Sequence, residues 1–312
     1  MRLSPWSWKH RVVLSVPLLA VLSGNAQLPG QEADAYKLSV NVNLVVVDAA
    51  VRDRKGRAVS DLGERNFAVY EDGVRQSIRL FLHEDIPVAA GLVIDHSGSM
   101  RAKLPDVVAG ARTFTQTSNP EDRLFVVNFN EKVALGLPPH IGFTNRSEEL
   151  EHAISTTPAE GLTALYDALI KALERLQAAQ RDKKVLLVIS DGGDNASAHK
   201  LADVLKLAAQ SRTMIYTIGI FEPEDPDKNP EVLRRLAAAT GGEAFFPHQT
   251  SEVVATCERI AHDIRNQYTI GYVPAAARPG VYRTIRIVAG SPTDSKLSVR
   301  ARSGYIAGAA GK

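Results

Sequence analysis

The sequence predicts an α/β protein in which a doubly wound, mostly parallel sheet is flanked by, or inserted into, a small β-sandwich-like module. Three observations carry that reading. From Pro87 to about Asp263, short apolar runs alternate with amphipathic stretches, the pattern of parallel strands joined by crossover helices. Two of those runs end in an aspartate followed by a small-residue turn, which is where open α/β sheets bind ligands. Before and after this region the texture is period-two alternation with tight turns, the mark of β hairpins.

Taken in order, Val40, Val42, Leu44 and Val46 alternate, and the phase then shifts to Ala49 and Val51, as a bulge would produce. Asp53-Arg54-Lys55-Gly56 closes one connection, and Glu71-Asp72-Gly73 joins Phe67–Tyr70 to Ile78–Leu82 as a hairpin. The apolar run Val88–Ile94 opens the α/β part. Further strands are expected at Leu124–Phe129, Val185–Ser190, Met214–Ile220 and Glu243–Phe246. Helices are expected at Leu104–Thr117, Glu148–Ser155, Ala164–Ala179, Leu201–Ala209, Glu231–Ala239 and Glu252–Ile264. Leu162, Leu165, Leu169, Leu173 and Leu176 show the three- and four-residue steps of one such helix. Three short strands follow, around Tyr268–Tyr272, Ile285–Ile287 and Leu297–Val299. Because domain termini tend to lie close together, strands of residues 38–85 are expected to pair with those of 266–306, with residues 86–265 inserted between them.

Composition limits the function classes. At 312 residues, 45% hydrophobic and 23% charged, the chain is an ordinary globular protein with room for one large and one small domain. Residues 1–26 read as a secretory signal: Arg2, Lys9 and Arg11, an apolar stretch Val12–Leu22, and the small-residue site Gly24-Asn25-Ala26. The expected location is therefore outside the cytoplasm, in the periplasm, the cell envelope or the medium, with no integral membrane span after cleavage. Removing the leader's three basic residues leaves 34 basic against 35 acidic ones. No basic run interleaved with aromatics appears, which argues against nucleic acid. The single Cys257 lies in the helical stripe Val253, Cys257, Ile260, Ile264 and reads as a buried thiol.

The chemistry sits in Asp95-His96-Ser97-Gly98-Ser99, where a strand delivers a carboxylate and two hydroxyls into one tight loop. Oxygen ligands of this kind suit Mg2+, with Mn2+ as the alternative. Thr163 leads into a helix, and Asp191 ends the run Val185–Ser190. Without these two, Asp95, Ser97 and Ser99 would read equally as turn-forming side chains satisfying their own backbone.

Asp95-x-Ser97-x-Ser99, Thr163 and Asp191 together resemble the metal-ion-dependent adhesion site of the von Willebrand factor type A family, over roughly Ile86 to Asp263. The flanks resemble those of exported bacterial proteins that carry such a domain. The resemblance implies a Rossmann-like fold in which Ser97, Ser99 and Thr163 offer hydroxyls directly to the metal while Asp95 and Asp191 act through waters. It also implies a non-enzymatic, adhesion-type module whose metal takes an Asp or Glu of a partner protein. Two alternatives stand beside it: a structural or assembly component of the envelope whose metal only steadies the loops, and a metal-assisted hydrolase.

Three neighbouring residues are candidates for support around the metal or for partner contact. His96 is expected as an exposed loop residue that tunes partner choice. Asp167 and Asp194 support either the metal's surroundings or the start of the helix after Thr163. His83, His140, His152, His199, His248 and His262 show no metal-ligand spacing. Asp225, Asp227 and Asn229 mimic a calcium loop, but Pro230 and Leu236 stand where Gly and Glu are required, so the segment reads as a solvated loop.

Overall fold

Four strands precede the α/β part: β1 (Val45–Arg52), β2 (Phe67–Glu71), β3 (Val74–Gln76) and β4 (Ile78–Leu82). The structure, a computed structural model, describes residues 44–221, 227–274, 278–290 and 297–308, all within the unit Val42–Lys312. The leader, Val40, Val42 and Asp225 lie outside the described residues.

The α/β part runs β5 (Val88–Asp95), α1 (Leu104–Thr117), β6 (Arg123–Phe129), β7 (Val133–Leu135), α2 (Ser147–Ser155) and α3 (Leu165–Gln177). It continues with β8 (Lys183–Ser190), α4 (Leu201–Gln210), β9 (Thr213–Gly219), α5 (Pro230–Thr240), β10 (Ala244–Phe245) and α6 (Glu252–Arg265). Its six-stranded sheet has the order β10-β9-β8-β5-β6-β7, parallel except for β7. All of β5 is buried, which is why Val88–Ile94 is continuously apolar rather than alternating. Helices α1, α2 and α6 pack together, as do α3, α4 and α5, so the sheet is covered by two helical layers. Cys257 is fully buried on α6, and burial pushes its thiol up to about 12. No helix of the described residues is long and apolar enough to cross a membrane.

The chain ends with β11 (Tyr268–Tyr272), β12 (Tyr282–Ala289), β13 (Ser298–Ala301) and β14 (Gly304–Ile306). Two antiparallel four-stranded sheets result, β13-β1-β11-β4 and β14-β12-β2-β3, around a core of Val47, Ala49, Phe67, Val69, Ile270 and Ile285. The buried Glu71 carboxylate inside this core accepts from Tyr272 (2.6 Å), Tyr305 (2.9 Å) and Arg283 (2.7 Å). A carboxylate without such partners would be costly there.

Two local expectations are corrected. The turn at Asp72-Gly73 does make a hairpin, but its second arm is Val74–Gln76; Ile78–Leu82 leaves it to pair with β11 in the other sheet. Two adjacent strands, β3 and β4, thus belong to different sheets. The expected bulge near Ala49 is also absent, since the register of β1 runs unbroken from Val45 to Arg52. Its pattern changes because Ala49, Ala50 and Val51 are all buried, so the strand is covered on both sides there.

On the outer side of β1, charged groups tie the sandwich to the α/β part. Arg52 donates to Glu243 (2.7 Å) and Asp263 (3.0 Å), Arg300 pairs with the same two carboxylates, and Tyr216 donates to Asp263 (2.5 Å). Burial pushes the Asp263 carboxyl upward, but Arg300, the Tyr216 hydroxyl and Arg52 outweigh it and hold Asp263 below the usual range. Removing one partner of such a buried set leaves a charge uncompensated. Arg300→Ala is expected to cost roughly 3 to 5 kcal/mol in urea unfolding, whereas a loss well under 1 kcal/mol would show that the network carries little of the junction.

Candidate metal centre

Asp95 ends β5 and Asp191 follows β8, and these two strands pair in parallel with Ile94 level with Ile189. The two carboxylates are therefore delivered to one edge of the sheet by its central ladder. The Asp95 side chain is fully buried: Oδ1 accepts from the Ser97 N–H (2.8 Å) and Oδ2 from the Ser190 hydroxyl (2.6 Å). Ser97 and Ser99 hydroxyls lie 3.1 Å apart, and Ser99 donates to Asp191 Oδ2 (2.6 Å). Asp191 Oδ1 accepts from the Gly193 N–H (3.0 Å). Four of the five expected residues thus form a hydrogen-bonded cluster. Burial first, and the neighbouring Asp191 second, push the Asp95 carboxyl up to about 6.

Thr163 reaches the same edge through its backbone. Its N–H donates to Asn195 Oδ1 (2.8 Å), and its carbonyl accepts from the N–H groups of Asn195 and Ala196 (3.0 Å each). The preceding Gly161 carbonyl accepts from Gly98 N–H (3.3 Å), which ties the threonine loop to the serine loop. The Thr163 hydroxyl is carried on this loop. Its lone pairs, with those of Ser97 and Ser99 and the two carboxylates, make an all-oxygen donor set that fits a hard divalent cation. Among the described residues no group of three or more His, Cys, Asp or Glu side chains is placed to hold a metal.

The supporting residues fall differently from expectation. His96 is corrected: its side chain is wholly buried, and Nε2 lies 3.2 Å from Asn128 Oδ1, whose amide nitrogen donates to Ala153 O (2.6 Å) and Thr157 (2.8 Å). Burial pushes the His96 pKa down. The ring points into the space between β6 and α2, so it is no partner contact. Asp167 and Asp194 serve the start of α3, which has no side-chain cap of its own. Asp194 Oδ1 accepts from Tyr166 N–H (3.1 Å), Ser197 Oγ accepts from Asp167 N–H (3.1 Å), and Asp167 in turn accepts from the N–H groups of Ala198 (3.0 Å) and His199 (2.9 Å). The loop after β8 therefore caps the helix that follows Thr163. The Asp227–Asn229 segment is not simply solvated either, because Asn229 N–H donates to Asp191 O (3.0 Å) and Asp227 accepts from Asn195 (3.1 Å).

Ser190 and Asn195 are the residues that sequence reasoning did not assign to the site. Ser190 links the two strands by donating to Asp95 while accepting from Gly192 N–H (3.0 Å). Its place immediately before Asp191, at the end of an apolar run, was the available signal. Asn195 carried no such signal, since its role depends on a loop from elsewhere in the chain.

Residues 91–193 match the model of the von Willebrand factor type A domain family, a span that contains all five candidate residues. No curated protein matches the sequence at a significant level. Among solved structures, a von Willebrand factor type A protein from Catenulispora acidiphila is similar at TM-score 0.52 and 14% identity, over 78% of this chain and 74% of that one. The vWF domain of the type V pili tip protein Mfa5 from Porphyromonas gingivalis aligns at TM-score 0.49 and 14% identity, over 58% of this chain and 95% of that one. Proximal thread matrix protein 1 from the mussel byssus, solved with a zinc-occupied MIDAS motif, aligns at TM-score 0.49 and 16% identity, over 64% of this chain and 50% of that one. The family match over residues 91–193 and the fold shared with the Catenulispora acidiphila protein agree with the sheet order and helical layers above: this part of the chain is similar to a von Willebrand factor type A domain.

Proposed function

We propose that this protein is an exported, Mg2+-dependent protein-binding module that captures a partner by an Asp or Glu side chain. The observation that carries the reading is the cluster Asp95, Ser97, Ser99 and Asp191, with Thr163 in the adjoining loop, at the carboxyl edge of the sheet. With three neutral hydroxyls in its donor set, a divalent cation there keeps much of its charge and favours an added carboxylate. Ser97, Ser99, Thr163, Asp95 and Asp191 would hold the ion, and the surrounding loops would decide which carboxylate reaches it. The basic, apolar and small-residue beginning of the sequence supports export. Binding is favoured over catalysis because the imidazole beside the serines, His96, is turned inward onto Asn128 and cannot act as a base at the site.

Titration calorimetry is expected to show saturable binding of Mg2+ or Mn2+ by the parent and none by Asp95→Ala. Equal heats from both proteins would contradict the assignment. Ser190→Ala removes one of the two donors that fix Asp95 without removing a ligand, and is expected to weaken metal binding severalfold while the domain remains folded.

The pH dependence has a definite sign. Asp95 has a carboxyl near 6 in the fold against an ordinary value of 3.8, so without metal its charged form opposes folding above pH 6 by on the order of 3 kcal/mol, and that opposition fades as pH falls toward 4. A cation takes the place of the proton. The rise in Tm caused by Mg2+ is therefore expected to be full near pH 8 and to shrink as pH drops through 6. A rise of the same size at pH 5 would contradict this reading.

A further inference from the structure

The threonine loop carries an apolar side chain on its outside. Leu162 is 53% exposed, yet its backbone is held: its N–H donates to Glu131 Oε2 (3.1 Å), and the residues on either side are pinned by Gly98, Asn195 and Ala196. Gly161 adopts φ +81°, and a Cβ there would collide with the Glu131 carboxylate, so glycine lets the loop lie against that side chain. A lone exposed leucine is ordinary on a protein surface. This one is distinguished by a fixed backbone and by its position next to Thr163. Glu131 is itself exposed, and among the described residues its other oxygen accepts no hydrogen bond and no Lys or Arg pairs with it.

We propose that Leu162 and Glu131 select the flanks of the partner segment: the metal takes a carboxylate, Leu162 packs an apolar side chain beside it, and Glu131 pairs with a Lys or Arg. The occupant is a protein segment with an acidic residue between apolar and basic neighbours. This rests on the metal-dependent reading above. Because the loop is already ordered, contact with Leu162 orders little further backbone, the condition under which a small apolar contact adds to affinity. The Glu131 pair lies at the solvated rim, where it shapes partner choice more than strength.

The test is selection of random twelve-residue peptides displayed on phage, using the full chain with Mg2+ and release by chelator, in the parent, Leu162→Ser and Glu131→Gln. Gln keeps a carbonyl acceptor for the Leu162 N–H and removes only the charge. The parent is expected to enrich acidic residues flanked by apolar and basic ones. Leu162→Ser should lose the apolar preference and Glu131→Gln the basic one. A synthetic parent-selected peptide should bind each variant about three- to tenfold more weakly, with Mg2+ affinity unchanged within about twofold. Chelator-released acidic peptides with no flanking preference, variants that bind the peptide as the parent does, or variants that lose Mg2+ affinity, would each overturn the rim assignment while leaving the metal-dependent reading in place. No chelator-released peptide from the parent would overturn both.

Discussion

Parallel pairing of β5 with β8 delivers two aspartates, Asp95 at the end of one strand and Asp191 just past the end of the other, to one edge of the sheet, and the surrounding loops are organised around that placement. Like charges in a buried setting repel strongly, and Asp95 registers it through a carboxyl pushed up to about 6 by burial and by Asp191. Four hydrogen-bond donors offset part of the cost: Ser97 N–H and Ser190 hydroxyl on Asp95, Ser99 hydroxyl and Gly193 N–H on Asp191. A divalent cation would offset much of the rest, which is why the arrangement makes chemical sense as a metal centre and poor sense as a plain turn.

The same strand ends fix the remaining loops. The segment after β8 turns back to cap α3 through Asp194 and Ser197, and in doing so presents Asn195 to the backbone of Thr163. The segment before α5 lies on Asp191 through Asn229. Position of the threonine hydroxyl is thus set by helix capping rather than by direct contact with the serines. At the other side of the domain, the Arg52, Glu243, Asp263 and Arg300 network joins the α/β layers to strands from both flanks.

Much of this was legible in the sequence, and what was not has physical causes. The doubly wound sheet showed in continuous apolar runs such as Val185–Ile189 because strands buried on both faces need no alternation. Asp95, Ser97, Ser99 and Asp191 could be read as a group because each stands at a strand end or tight turn, where position follows from local pattern. His96 could not. Whether a loop imidazole faces water or Asn128 depends on β6 and α2, which no spacing near residue 96 encodes. The route of Ile78–Leu82 into the second sheet was hidden for the same reason, since its partner β11 lies almost 200 residues later. The change of phase at Ala49 to Val51 looked like a bulge because a strand covered on both sides and a strand that slips register leave the same pattern.

The most direct test is anomalous diffraction from crystals of the full chain soaked in Mn2+. One peak within bonding distance of the Ser97, Ser99 and Thr163 hydroxyls is the result expected here, with the Asp95 and Asp191 carboxylates beside it. No peak there, or one coordinated only by Asp167, Asp194 or Asp227, would contradict the claim that the pairing of β5 with β8 brings Asp95 and Asp191 together as a metal centre.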